Sequence, residues 1–206
     1  MFKIAVLVSG GGTNLQSIID AIKSGYLSNC SIEAVVSDRK EVYALERAVT
    51  NDIKAYVIDR KVNKDRVSDE VLKLLYDKVD LIVCAGWLSI LKGDLVSKFE
   101  NKIINIHPSL IPAFCGDGMY GIKVHESAIE HGVKVSGCTV HFVDNGTDTG
   151  PIILQKTVPV YGEDTAELLQ KRVLEQEHKA LPEAIKLIAS RKVKVNGRKV
   201  IIKWYN

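Results

Sequence analysis

The chain has 206 residues, 46% apolar and 26% charged, and its 28 Lys and Arg against 25 Asp and Glu leave a net charge of +3. That composition is ordinary for a soluble globular protein, and the charge excess is too small to argue for a nucleic-acid surface. A chain of this length buries roughly 70% of its unfolded surface, so it needs neither disulfides nor a metal to hold a core.

The four cysteines, Cys30, Cys84, Cys115 and Cys138, stand too far apart for a Cys-x-x-Cys pair, and no histidine cluster accompanies them. This argues against a zinc site. Cys30, Cys84 and Cys138 read as small core residues of a reducing compartment. The first apolar run, Ile4–Val8, is too short for a signal segment, and no stretch approaches membrane-spanning length. The expected location is the cytoplasm.

Phe2–Val8 reads as a buried strand. Ser9-Gly-Gly-Gly-Thr-Asn14 follows, then Leu15, Ile18, Ile19 and Ile22 at helical spacing. Strand, glycine turn and helix is the layout that points backbone N–H groups at an anion. The dinucleotide fingerprint fits in part, because Gly10 and Gly12 match but Leu15 takes the third glycine's place. A single phosphate therefore suits this loop better than a pyrophosphate. A plain tight turn with Thr13 or Asn14 as N-cap is the alternative, although three consecutive glycines exceed what a cap requires.

Ile32–Val36 is a second strand, and Ser37 or Asp38 is expected to cap a helix through Val42, Leu45 and Val49. Ala55–Ile58 is a third strand. A polar loop leads to a helix with Val67, Val71, Leu72, Leu74 and Leu75. Val79–Cys84 is a fourth strand and Lys92–Phe99 a short helix. The alternation predicts an α/β fold, a Rossmann-like, mostly parallel sheet flanked by helices. Ligands of such sheets bind beyond the carboxyl ends of the strands.

The stretch Lys102–Pro112 is the pivot of the chain. It begins as a strand on which Asn105 and His107 share one face, and Pro108 ends the ladder. An amide and an imidazole so placed suit a developing anion, or simply close a strand. Ala113–Gly121, rich in glycine and aromatics, reads as a surface loop of lid type, and Lys123–His131 as a helix. Lys134–Val143 and Ile152–Val160 flank the turn cluster Asp144–Pro151, which predicts antiparallel strands added in the C-terminal half. A helix from Asp164 or Thr165 is expected to break or kink at Pro182, leaving Ala184–Ser190 as a last segment. Asn196-Gly197 predicts a terminal hairpin. One domain is expected over 1–206: a phosphate-binding half (1–100), a catalytic half (101–190) and the hairpin segment (191–206). Asp148 is the best partner for His107, since a carboxylate raises and orients an imidazole. Turn chemistry alone favours the alternative, an Asx-turn role for that aspartate.

Gly10–Asn14, Asn105-Ile-His-Pro-Ser-Leu-Ile-Pro112, Val140-His-Phe-Val143 and Thr147–Gln155 resemble the glycinamide ribonucleotide formyltransferases, within the folate-dependent formyltransferase family. The likeness runs from about Phe2 to Ile188. It implies transfer of the formyl group of 10-formyltetrahydrofolate to glycinamide ribonucleotide in purine synthesis, without a metal, and it leaves homodimer formation open. It assigns catalysis to Asn105, His107 and Asp148. It assigns the ribonucleotide to Gly11, Gly12, Thr13, Asn14 and Glu177. Folate would be framed by Arg66, by Leu88, Ser89, Ile90 and Leu91, and by Asn105, Val143 and Asp144. Without the resemblance, Glu177 and Arg66 would read as exposed helix charges. The expected absence of a preceding or a long following domain separates the chain from formyltetrahydrofolate deformylase, the alternative activity, and from methionyl-tRNA formyltransferase. Where many members carry Met-Arg-(Ile/Leu)-Leu, this chain has Leu88-Ser-Ile-Leu91 and lacks the arginine.

Overall fold

The computed structural model describes residues 1–203, so 204–206, the end of the expected hairpin segment, lie outside the described residues. The chain divides into two compact units, Met1–Asn105 and Ile106–Asn206.

The first unit contains β1 (Phe2–Val8), α1 (Thr13–Lys23), β2 (Cys30–Ser37), α2 (Tyr43–Thr50), β3 (Ala55–Val57), α3 (Arg60–Asn63), a 3-10 turn at Lys64–Arg66, α4 (Val67–Leu75), β4 (Leu81–Cys84), α5 (Asp94–Lys98) and the start of β5 (Ile103–His107). Its ladders are all parallel: β1 with β2 and β4, β2 with β3, and β4 with β5. Ile4 to Val8 and Leu81 to Val83 are fully buried. A parallel strand covered on both faces has no polar side to show, and this is why both strands read as unbroken apolar runs.

Two helix starts differ from the sequence expectation. Helix α1 takes Gly12, not Thr13 or Asn14, as its N-cap, in the left-handed region at φ 72°. The second helix starts only at Tyr43 and is capped by Val42. Ser37 is occupied instead, since its hydroxyl donates to the Arg39 carbonyl and accepts from the Arg39 N–H. Ser hydroxyls make such local turns as readily as they cap helices.

The second unit contains α6 (Ile122–Glu130), the antiparallel pair β6 (Val135–Phe142) and β7 (Ile152–Pro159), α7 (Ala166–Ala189) and the hairpin β8 (Val193–Asn196) and β9 (Lys199–Ile202). Thr165 caps α7 by accepting the Leu168 N–H. The expected break at Pro182 does not occur: α7 runs continuously from Ala166 to Ala189. Proline removes one ladder bond and crowds the preceding turn, at a cost of ~3 kcal/mol. Ala180, Leu181, Ala184 and Ile185 are fully buried around it, and burying aliphatic side chains contributes ~1.5–3 kcal/mol each. A helix that buries residues on both sides of its proline in one core stays whole.

The seven strands of the main sheet follow the order β3-β2-β1-β4-β5-β6-β7, and β8-β9 form a sheet of their own. This is the mostly parallel α/β sheet with added antiparallel strands that the sequence predicts. Among the described residues, no helix is long and apolar enough to cross a membrane. Cys30, Cys84, Cys115 and Cys138 are free thiols, and burial pushes Cys84 and Cys138 up to about 12.

Candidate active site

In the first unit β1, β4 and β5 are neighbours, so the loops that follow β1 and β4 leave the same sheet edge. They are tied together: Ser9 N–H donates to the Gly86 carbonyl at 3.0 Å, and the Leu88 N–H donates to Ser9 Oγ at 2.9 Å. Asn105 stands opposite Cys84 in the β4–β5 ladder and is half-buried. The glycine loop, the Gly86–Leu91 segment and Asn105 therefore gather at one edge of the first unit.

Gly11 and Thr13 are exposed, Gly12 is half-buried and Asn14 is buried. Gly12 could be no other residue without strain. Besides its positive φ, a Cβ there would lie 2.7 Å from Ala44 Cβ. The first amides of α1 have no intrahelical acceptor, as at every helix N-terminus, and the helix dipole favours an anion before them.

Arg66 is exposed, as its sequence context implied. The turn that carries it is tied to the segment after Leu91, because Lys92 Nζ pairs with Asp65 at 3.3 Å and Lys92 N–H donates to Ser68 Oγ at 3.0 Å. Leu88 and Ile90 are exposed and Leu91 is buried. Ser89 turns its hydroxyl onto the fully buried Asp38, donating to Oδ2 at 2.6 Å, while Arg60 Nη1 stands 3.6 Å from the same oxygen. Sequence reasoning took Asp38 only for a cap. Its role as an anchor for Ser89 depends on a loop-to-loop contact with no sequence signature.

In the second unit His107 is buried. Its Nε2 lies 2.9 Å from the Phe114 carbonyl and its Nδ1 lies 3.4 Å from Asp148 Oδ2. A carbonyl only accepts, so Nε2 carries a proton. Asp148 Oδ1 faces His141 Nε2 at 3.5 Å, and Oδ2 accepts the Gly116 N–H at 3.0 Å. Burial raises the Asp148 pKa, but the His141 hydrogen bond, His107 and the Gly116 N–H together hold the carboxyl below its ordinary value. His107 has the opposite balance. Burial lowers its pKa more than Asp148 and the Phe114 carbonyl raise it, and His141 lowers it further.

The turn after β6 shows why Asp148 is available for this. The Asx-turn is made by Asp144, whose Oδ1 accepts from the Gly146 N–H and from Thr149 Oγ1. Asp148 itself has φ 57°. Gly150 closes the turn, where a Cβ would sit 1.8 Å from the Phe142 carbonyl oxygen. Val143 and Asp144 are half-buried beside it. The lid-type loop Ala113–Gly121 is bound to this cluster through Phe114 and Gly116, and again where Thr147 Oγ1 donates to Asp117 at 3.0 Å.

Two histidines escaped the sequence reading. His141 flanks Asp148, and its Nδ1 bonds the Phe142 carbonyl at 2.8 Å. His125, on α6, is buried with Nδ1 lacking a hydrogen-bond partner. Burial, with a further push from His107, lowers it to about 4. The only signal for His125 was a helical position shared with Val124 and Ala128. Glu177 is buried on α7, not exposed as helix context alone implied. Among the described residues, no group of three or more His, Cys, Asp or Glu could hold a metal ion.

The family described as formyl transferase matches residues 2–185. A phosphoribosylglycinamide formyltransferase of Haemophilus influenzae is 42% identical over 189 residues, covering 90% of this chain and 86% of that relative. A trifunctional purine biosynthetic protein adenosine-3 of Homo sapiens is 42% identical over 201 residues, 95% of this chain and 19% of that relative. Across the first four curated relatives, all of this trifunctional type, the chain spans 14% to 19% of their length. A solved structure of glycinamide ribonucleotide transformylase 1 from Symbiobacterium toebii superposes at a TM-score of 0.91 with 43% identity, over 98% of this chain and 94% of that one.

Proposed function

Because the chain belongs to the formyl transferase family, matched over residues 2–185, we propose that it transfers the formyl group of 10-formyltetrahydrofolate to the primary amine of 5-phosphoribosylglycinamide, in the cytoplasm, as a step of purine synthesis. The observation that carries the reading is the buried pairing of His107 with Asp148, on the two segments that most resemble the family's motifs.

The amine nitrogen attacks the formyl carbon, a new C–N bond forms, and the bond from that carbon to the folate nitrogen breaks. The proton lost by the amine ends on the folate nitrogen. Meanwhile the formyl oxygen gains negative charge. Asn105 donates its amide N–H to that oxygen, and the developing anion favours the protonated His107 that burial alone disfavours. Donors aimed at developing charge are the largest single contribution in such reactions. In the structure the Nε2 proton serves the Phe114 carbonyl. A full negative charge outcompetes a carbonyl for it, because charge-assisted hydrogen bonds are about twice as strong as neutral ones. Asp148, kept ionised by its neighbours, stabilises the charged imidazole.

The ribonucleotide phosphate is assigned to Gly11, Gly12, Thr13 and Asn14, and its glycinamide end to Glu177. Folate is assigned to Arg66, Leu88–Leu91, Asn105, Val143 and Asp144. Leu88 and Ile90 expose 40% and 66% of their surface, and this apolar area fits a flat ring system that would cover it.

The test is loss of formyl from 10-formyltetrahydrofolate, followed by absorbance, with and without glycinamide ribonucleotide. Turnover only with the ribonucleotide is expected. Equal turnover without it would make the chain a deformylase, and none in either case would leave a binding protein.

A further inference from the structure

We propose that Arg47 is a positioning residue for the ribonucleotide phosphate: it turns the Gly11–Gly12 peptide so that the Gly12 N–H faces the ligand. The inference rests on the ribonucleotide reading of the glycine loop.

In a trans peptide the C=O and the N–H point in opposite directions. Whatever holds a carbonyl therefore aims the following amide. Three successive carbonyls of this loop are held. Gly10 O accepts from the Ala44 N–H at 3.2 Å, Gly11 O accepts from Arg47 Nε at 2.9 Å, and Gly12 O accepts from the Gln16 N–H at 2.9 Å. The first two bonds pull toward α2 and the third lies along α1. The N–H groups of Gly11, Gly12 and Thr13 are consequently turned the other way.

The loop is also open at its first two glycines. A Cβ on Gly10 or Gly11 would meet nothing within 4 Å, and neither residue lies in the left-handed region. The fold has no steric need for glycine at these two positions, in contrast to Gly12. Small residues there leave a ligand room to reach the backbone.

Two of the three carbonyl restraints are backbone bonds that any side chains would allow. The Gly11 restraint depends on one side chain. Arg47 is itself braced, with Nη1 donating to Gln16 Oε1 at 2.9 Å and its guanidinium 4.7 Å from the centre of the Tyr43 ring. Gln16 is in turn held by Asp20, to which its Nε2 donates at 2.9 Å. A planar fork can serve Gly11 and Gln16 together, which a lysine ammonium does not do from one fixed geometry. The fork also brings a permanent positive charge up behind a loop proposed to meet a phosphate. The sequence reading passed over Arg47 because it stands 36 residues from its partner Gly11.

The test compares wild type, Arg47→Ala, Arg47→Lys and Gln16→Ala, all checked for folding by thermal melts. Calorimetric titration with glycinamide ribonucleotide and steady-state kinetics are read on each. Arg47→Ala is expected to weaken ribonucleotide binding and raise its KM by roughly 10- to 100-fold, the effect of one charge-assisted hydrogen bond. The KM for folate and kcat at saturation should change less than twofold. Arg47→Lys should recover part of the loss, and Gln16→Ala should shift ribonucleotide KM in the same direction by a smaller factor. With glycinamide riboside, which lacks the phosphate, wild type and Arg47→Ala should perform alike. Equal losses on riboside and ribonucleotide, or unchanged ribonucleotide binding, would overturn the proposal. Should Arg47→Ala fail to fold, Arg47→Lys and Gln16→Ala decide by the same readouts. Failure of wild type to bind the ribonucleotide at all would overturn the reading of the loop itself.

Discussion

At the glycine loop the backbone faces outward and the side chains stand behind it; around His107 and Asp148 the side chains converge and the backbone supports them. The loop gets its polarity from amides that never titrate, fixed by Gly12 at φ 72° and by the start of α1. What it demands is steric. The second cluster gets its polarity from side chains, the Asp148 carboxylate set between His107 and His141, and what it demands is electrostatic. The first kind of site breaks through the fold. The second breaks through rate and pH while the fold survives.

Substitution in the electrostatic cluster sharpens this contrast most. Asn105→Ala, or His107→Ala, should leave a folded protein whose turnover falls by ~10²–10³, the ~2.7–4 kcal/mol typical of one lost oxyanion donor. Asp148→Asn should behave similarly. Pairing it with His107→Ala should add little, because residues acting as a unit are non-additive. A double variant that multiplies the two losses would separate the pair.

His125 extends the contrast to stability. Folded, it stays neutral down to about pH 4, whereas unfolded it takes a proton near 6.5. Between these values the unfolded chain binds the extra proton, so acidification favours unfolding by up to ~3 kcal/mol from this group. Urea melts of wild type should therefore lose stability from pH 6.5 toward pH 4, and His125→Leu should lose less over the same interval. Parallel acid limbs would refute that assignment.

At the glycine loop the expected damage is structural. Gly12→Ala combines a left-handed backbone with a Cβ 2.7 Å from Ala44, and should cost about 1–3 kcal/mol of stability. It should show as a lower urea midpoint at constant slope. The smallest effect is expected at Ser89→Ala, which leaves the buried Asp38 without its hydroxyl donor. About 1–2 kcal/mol should be lost in the same measurement, with kcat nearly unchanged.

Much of this was legible in the sequence because it depends on local pattern. Apolar runs marked β1 and β4, and Asn196-Gly197 marked the β8–β9 hairpin, where Gly197 has φ 58°. The pairing of His107 with Asp148 was reachable through the family resemblance, since turn chemistry by itself favoured an Asx-turn role for Asp148. What escaped was long-range. Pro182 obeys its neighbours' burial in place of its own propensity. Ser37 spends its hydroxyl on a turn, so α2 starts later than a capping rule suggests. Asp144, not Asp148, makes the Asx-turn, and nothing in the composition of that turn distinguishes the two aspartates. Arg47, Asp38 and His125 act through partners brought near only by folding.

Asp148 holds two histidines and an N–H at once, and His125 feels the charge on His107. A proton on such a group has no single owner. The inflections of a pH–rate curve for this protein are macroscopic properties of the assembly. Replacing Asp148 or His141 therefore retunes His107, and an inflection that moves in a His141 variant would still be a signature of His107.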